Sequence, residues 1–164
     1  MSRTKTISTD QILDSLRSVM DPEIPVLSVV DMGVVRKVEI TDHVIVTITP
    51  TYSGCPAMNT IESDIKNCLI EEGYKDAEVK TVLQPAWTTD WLTAHGREQL
   101  RAYGIAPPQG STSKRALFLE DETVPCPKCH SKNTALVSEF GSTACKAHYK
   151  CKDCLEPFDY FKCI

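Results

Sequence analysis

What the chain lacks narrows its role first. No stretch of its 164 residues approaches the ~20 apolar residues of a membrane span. No apolar run follows Met1-Ser2-Arg3-Thr4-Lys5-Thr6, so the N-terminus does not read as an export signal. There is no excess of positive charge: 18 Lys and Arg stand against 22 Asp and Glu, a net charge of −4. Nothing in that balance calls for a nucleic-acid partner. There is no Glu-x-x-His pair of the kind that di-iron bundles carry, no Gly-rich dinucleotide fingerprint, no internal repeat and no low-complexity tract. The expectation is a soluble, cytoplasmic protein with no membrane partner.

What is present is cysteine, unevenly spread. Of the eight, Cys55 and Cys68 lie in the first two-thirds of the chain, and Cys126, Cys129, Cys145, Cys151, Cys154 and Cys163 crowd the last quarter. Paired Cys-x-x-Cys spacings without an export signal favour metal over disulfides.

Read in order, Ser8-Thr9-Asp10-Gln11 is a capping box. Ile12, Leu13, Leu16, Val19 and Met20 follow at helical spacing until Asp21-Pro22 stops the helix. The stretch Glu23 to Gly33 reads as an apolar loop punctuated by Asp21, Glu23 and Asp31. Val34–Ile40 and Val44–Thr49 alternate as strands about the turn Thr41-Asp42-His43, which predicts a hairpin. Met58, Ile61, Ile65, Cys68 and Leu69 form one face of a second helix, with Gly73 at its C′ position. Cys68, on that stripe, reads as a core residue. Ala77–Leu83 is a third strand, parallel to the second if the helix is the crossover. Thr89 or Asp90 caps a last helix carrying Trp91, Leu92, His95, Leu100 and Tyr103, ended by Gly104. Trp87 and Trp91 are expected to pack on the sheet, and His95 is assigned no chemistry. The fold class is α+β: a small mixed three-stranded sheet with helices packed on it, in the order α-β-β-α-β-α. Residues 1–106 form this domain, 107–124 a linker rich in Pro, Gly and Ser, and 125–164 a cysteine-rich tail. Within the linker, Leu117-Phe118-Leu119 reads as an extra strand or as part of the tether.

Cys55-Pro56 stands where the second strand gives way to the second helix. With Pro56 at the first helical position, Cys55 falls at the N-cap, where free amides and the helix dipole stabilise a thiolate. Against this stands the ordinary role of a free cysteine as a small buried hydrophobe.

In the tail, Cys126-Pro127-Lys128-Cys129 and Cys151-Lys152-Asp153-Cys154 are two matching knuckles with strand-like residues between them. Four thiolates make a tetrahedral zinc site, and the pattern is that of a zinc ribbon. Such a shell is closed, so the metal holds the fold and does no chemistry. Cys145-Lys146-Ala147-His148 is a competing Cys-x-x-His pair. Cys145 and Cys163 are left as spare thiols or as extra ligands of an iron–sulfur cluster, which also takes four thiolates.

Asp21-Pro22-Glu23-Ile24-Pro25, Val30-Asp31-Met32-Gly33 and Thr51-Tyr52-Ser53-Gly54-Cys55-Pro56 resemble the motifs of the SufT-like family of metal–sulfur cluster biosynthesis domains. Gln84-Pro85-Ala86-Trp87-Thr88-Thr89-Asp90-Trp91, Gly104-Ile105-Ala106-Pro107-Pro108 and the cysteine-rich tail, with Glu139 to Lys146 and Glu156 to Cys163, are similar to the PaaD branch of that family. That branch comprises accessory proteins of phenylacetyl-CoA epoxidase systems, and the likeness covers nearly the whole chain.

The resemblance implies a non-enzymatic helper that matures metal centres of the epoxidase system in phenylacetate degradation, above all the iron–sulfur centre of its flavin reductase. It implies Cys55 as the cluster- or metal-transfer residue and Asp21, Glu23 and Asp31 as the acids of its signature. One cysteine offers one ligand, so a site at Cys55 needs a partner subunit, a small thiol, or a homodimer that brings two Cys55 together. Two alternatives stay open: a Cys55-dependent enzyme, for which His43 is not placed as a base, and a zinc-clamped structural subunit of the epoxidase complex.

Overall fold

A computed structural model describes residues 7–109 and 123–162. Most of the expected 107–124 linker, the run Leu117-Phe118-Leu119 and Cys163 lie outside the described residues. The chain divides into two compact units, Met1–Trp87 and Thr88–Ile164.

The first unit begins with α1 (Thr9–Leu16), whose capping box is complete: Ser8 Oγ accepts from Gln11 N, and Gln11 Oε1 accepts from Ser8 N. The helix stops at Leu16, four residues before the predicted break. The cause is competition for backbone groups. Asp21 N donates to Leu27 O, Val29 N to Val19 O, and Met20 bridges Ser28, so residues 19–21 pair with 27–29 instead of extending the helix.

β1 (Val35–Ile40) and β2 (Val44–Ile48) form the antiparallel hairpin. α2 (Met58–Glu71) crosses over to β3 (Glu78–Thr81), which pairs parallel to β2 in the order β1-β2-β3. The sheet is thus mixed, as expected. Gly73, at φ 101°, closes α2: its N–H donates to Ile70 O and that of Tyr74 to Leu69 O.

Alternation decides the core. Val44, Val46 and Ile48 of β2 are buried, with Ile12 and Leu16 of α1 and Ile61, Ile65 and Leu69 of α2. Lys37, Glu39, Glu78 and Lys80 belong to the opposite face, where Lys37 pairs with Glu39 at 2.7 Å and Lys80 with Glu78 at 3.7 Å. At the hairpin tip, His43 meets Asp42 at 2.9 Å and Glu78 at 3.4 Å, and these carboxylates hold its pKa above the ordinary histidine value. Cys68 packs between α1 and α2, its Sγ 3.5 Å from Ser15 O, and burial pushes its thiol up.

The second unit opens with a 3₁₀ turn (Thr89–Trp91) capped by Thr88 and continues into α3 (Ala94–Tyr103), capped by Thr93. The sequence predicted one helix capped by Thr89 or Asp90; Thr88 and Thr93 take these roles instead because each hydroxyl accepts a following backbone N–H. Gly104, at φ 91°, ends α3 and turns the chain into β4 (Ile105–Ala106). β5 (Thr134–Ser138), β6 (Lys146–Cys151) and β7 (Pro157–Phe161) are antiparallel, and β4 adds parallel to β7, giving the order β4-β7-β6-β5. α3 therefore belongs with the tail rather than with the three-stranded sheet, because the strand it leads into pairs with β7. Ala106, Val124, Cys126, Ala147, Cys151, Phe158 and Tyr160 form the core of this unit, with Tyr149 against them.

Three hydrogen bonds tie the loops of the first unit to one end of its sheet. Thr49 N donates to Val34 O (2.9 Å), Val82 N to Ile48 O (2.9 Å), and the Trp87 indole Nε1 to Met32 O (3.0 Å). Trp87 is buried, so its loss as a donor strands the Met32 carbonyl. Trp87→Phe is expected to lower the stability of this unit by about 1–3 kcal/mol, read as an earlier urea midpoint, while zinc content stays unchanged.

Candidate functional site

Two sites grow from these elements. The first is the end of the sheet where β2 and β3 both finish and β1 starts. Three loops meet the sheet there: residues 21–34 before β1, 49–57 after β2 and 82–87 after β3. They carry Asp21, Glu23 and Asp31; Cys55; and Trp87, respectively.

The acids of the first loop have structural partners. Asp21 is buried, and its Oδ1 accepts from Glu23 N (2.7 Å) and Ile24 N (2.9 Å), fixing the turn that the two prolines require. Asp31 is buried too. It accepts from Ser28 Oγ at 2.9 Å and pairs with Arg17 Nη1 at 3.2 Å. A buried carboxylate with such partners braces the loop against α1. Glu23 is half-buried, and its backbone N–H serves Asp21.

Cys55 is not at the N-cap. α2 begins at Met58 behind Ala57, with Cys55 two residues further upstream. Two consecutive turns explain the difference: Cys55 N donates to Tyr52 O across Gly54, which sits at φ +83°, and Met58 N donates to Cys55 O. Cys55 is held at the junction of these turns, half-buried, between exposed Gly54 and exposed Pro56. Cys68, the other cysteine of this unit, bonds Ser15 O and Ser18 Oγ between the two helices. His43 sits on the β1–β2 turn, at the opposite end of the sheet from the β2 terminus that leads to Cys55.

The second site is the cysteine tetrad. The sulfurs of Cys126, Cys129, Cys151 and Cys154 all lie within 4.8 Å of one another. Cys126 and Cys154 are 3.7 Å apart, and Cys129 and Cys151 3.6 Å. A metal with bonds of about 2.3 Å to four tetrahedral sulfurs separates them by about 3.8 Å. The tetrad thus fits one zinc ion; a multi-iron cluster, whose thiolates attach to different irons, needs wider spacing.

The two knuckles repeat one geometry. Cys126 N donates to Ser131 O, and Cys151 N to Glu156 O, both at 2.9 Å. His130 (φ 62°) and Leu155 (φ 64°) follow the second cysteine of each knuckle in left-handed conformations. The first cysteine of each pair is buried and the second exposed. Cross-ties lock the knuckles together: Lys128 pairs with Glu156 at 2.7 Å, Asn133 Nδ2 donates to Asp153 Oδ1 at 2.8 Å, and Ser131 Oγ bonds the other Asp153 oxygen. The backbone N–H of Cys154 draws the Cys151 thiol down to about 7. Cys154, despite the Glu156 N–H directed at it, is pushed up to about 12 by local desolvation and the neighbouring sulfurs of Cys129, Cys151 and Cys126. Four sulfurs this close cannot all ionise without a cation among them.

The alternative Cys145–His148 pair does not join this group. Cys145 is buried with Thr143 Oγ1 3.1 Å from its sulfur, and His148 Nδ1 faces Asp159 at 3.3 Å. Sequence reasoning missed the left-handed residues behind each knuckle, for which non-glycine side chains leave no signal. It also missed the Ser131-x-Asn133 contacts to Asp153, although side chains of this type beside a metal turn are a readable hint.

Both parts of the chain match known families. Residues 110–162 match the family model of the PaaD zinc beta ribbon domain, and residues 9–81 match that of an iron-sulfur cluster assembly protein. Over the whole of both chains, the sequence is 48% identical to the Escherichia coli (strain K12) protein named as the D component of a "Putative 1,2-phenylacetyl-CoA epoxidase". The chain belongs to the PaaD family. Its first part is also 32% identical to the Fe-S protein maturation auxiliary factor YitW of Bacillus subtilis (strain 168), a match covering 54% of this chain and 88% of that one. It is 34% identical to the auxiliary factor SufT of Staphylococcus aureus (strain USA300), over 48% and 92%. Among solved structures, a DUF59 domain from Bacillus anthracis superposes with a TM-score of 0.52 at 27% identity, covering 56% of this chain and 89% of that one. A conserved hypothetical protein from Thermotoga maritima does so at 0.51 and 32%, covering 61% and 98%. The α+β domain of this PaaD-family chain thus has relatives that match about half of the chain. No described helix is long and apolar enough to cross a membrane.

Two outcomes test the tetrad. Metal analysis of the full chain should give one zinc and a colourless protein. Because protons compete with the metal for thiolates, zinc should be released as pH falls below neutrality, more readily in Cys129→Ser, as followed with a chromogenic chelator. Leu155→Gly, at an exposed left-handed position, should retain zinc and be neutral or gain up to about 1 kcal/mol, read from thermal unfolding of the zinc-loaded chain.

Proposed function

We propose that the protein is an accessory maturation factor of the phenylacetyl-CoA epoxidase system in phenylacetate degradation. It assists assembly of an iron–sulfur cluster or other metal centre in the reductase or oxygenase subunits, the iron–sulfur flavin reductase foremost. It acts by contact rather than by catalysis. Cys55 is the residue that transiently receives or contacts the metal or cluster, and Asp21, Glu23 and Asp31 shape the loop at the same end of the sheet. Cys126, Cys129, Cys151 and Cys154 hold a structural zinc.

The observation that carries this reading is the gathering of the signature segments, from three separate parts of the sequence, at one end of one sheet. Maturation factors of Bacillus subtilis and Staphylococcus aureus are similar to that part of the chain alone. The PaaD ribbon is what this chain adds, and it points to the epoxidase system as the setting. His43, the one histidine among the described residues of the first unit, sits at the opposite end of the sheet from Cys55, which favours a ligand over an enzymatic nucleophile. A single thiol is an incomplete metal site. A second subunit, a small thiol or a second copy of the chain supplies the remaining ligands.

A second reading, a zinc-clamped structural subunit without chemistry, draws support from the closed tetrad. Reconstitution separates the two. Cluster-free reductase matured in the presence of Cys55→Ser protein should reach clearly less iron and acid-labile sulfide than with wild type, with folding and zinc content unaltered. Full cluster content with Cys55→Ser would favour the structural reading.

A further inference from the structure

The end of the sheet that carries Cys55 differs from the rest of the first unit in charge. Residues 44–61 contain no Asp, Glu, Lys or Arg, and neither do residues 81–89, in a chain that is 24% charged. Lys37 and Glu39 of β1 and Glu78 and Lys80 of β3 lie on the open face of the sheet, the charges of the hairpin tip lie at its far end, and exposed Arg36 stands at the bulge where β1 begins. Of the acids entering at the Cys55 end, Asp21 and Asp31 are buried and bonded inward, and Glu23 is half-buried.

Within this sparsely charged end, residues 81–86 are all exposed. Val82 is 36% exposed and Leu83 56%. Apolar Pro85 and Ala86 follow. This is no loose loop. Val82 N is bonded to Ile48 O at one end, and buried Trp87 is bonded to Met32 O at the other. The rail continues β3, an outer strand of the sheet in the order β1-β2-β3. It leaves the sheet beside the strand that leads to the Cys55 turn.

An outer strand prolonged by an exposed apolar segment is a template for an extended chain. An occupant approaching Cys55 with a cluster, or with thiolates awaiting one, brings negative charge. A surface this poor in charge, in a chain with an acid excess, accepts such an occupant with little repulsion. We propose that an extended, cysteine-bearing segment of the iron–sulfur client lies along Val82–Ala86, with its thiols at Cys55. This rests on the maturation reading above and deepens it by naming the docking surface and the chemistry of what docks.

The test uses the full zinc-loaded chain and the cluster-free flavin reductase, mixed anaerobically and measured by titration calorimetry. Leu83→Asp should weaken binding by about tenfold or more, since a charge is placed in an apolar contact. Leu83→Met should retain it, and Lys37→Glu on the open face should leave it unchanged. Hydrogen exchange of residues 81–86 should slow in the wild-type complex. Wild-type affinity for Leu83→Asp, or protection confined to other segments, overturns the proposal, and so does a wild-type chain that does not bind the reductase. Protection of the rail in the chain alone, growing with its concentration, assigns the surface to a second copy and overturns the client. Binding lost with Leu83→Asp while Cys55→Ser matures the reductase normally would keep the docking surface and remove the role of Cys55.

Discussion

The parallel pairing of β2 with β3 is the constraint on which the first unit depends. A parallel neighbour cannot be reached by a tight turn, so the chain must spend α2 on the crossover. Both strands then finish at the same end of the sheet. The turn holding Cys55 and the rail ending at Trp87 are thereby brought side by side from positions some thirty residues apart in the chain. The antiparallel hairpin adds the third segment, because β1 starts where β2 ends. Backbone bonds from Thr49 to Val34 and from Val82 to Ile48, and the indole bond from Trp87 to Met32, then fasten the loops. Reversing the β2–β3 direction would send residues 82–87 to the hairpin tip, beside Asp42 and His43, and away from the Cys55 turn.

Much of this was readable from residue order. The capping box at Ser8, the alternation of β2, the crossover and the Gly73 stop are local signals, and each appears where local chemistry places it. The paired Cys-x-x-Cys spacings were equally legible, because a tetrahedral ion tolerates few arrangements of four thiolates. What could not be read depends on distant partners. α1 stops at Leu16 because residues 27–29 compete for the backbone of 19–21. α3 belongs with the ribbon because two residues beyond it, β4, pair with β7 more than fifty positions later. β7 itself was not anticipated, its short aromatic run Phe158 to Phe161 having been read only as part of a motif. At Cys55 the helix pattern was right and the start was wrong: Pro56 suits a first helical turn, but the Gly54 turn delays the helix to Met58.

The two units divide the chemistry of sulfur. In the ribbon, four thiols crowd into a shell sized for one ion, cross-tied through Asp153 and the Lys128–Glu156 pair. Cys55 stands half-buried in a run, residues 44–61, that holds no charged side chain. For the maturation role proposed above, such a separation would let one metal be kept and another passed on, since a closed shell exchanges slowly and a single ligand releases easily.

The most direct measurement of this separation is anaerobic iron and sulfide uptake by zinc-loaded protein, with dithiothreitol supplying additional thiolates, before and after selective alkylation of Cys55. Iron and acid-labile sulfide should be taken up by the unmodified chain and lost on alkylation, with about one zinc retained per chain throughout. Uptake that survives alkylation, or that proceeds by expelling the zinc, would contradict the account.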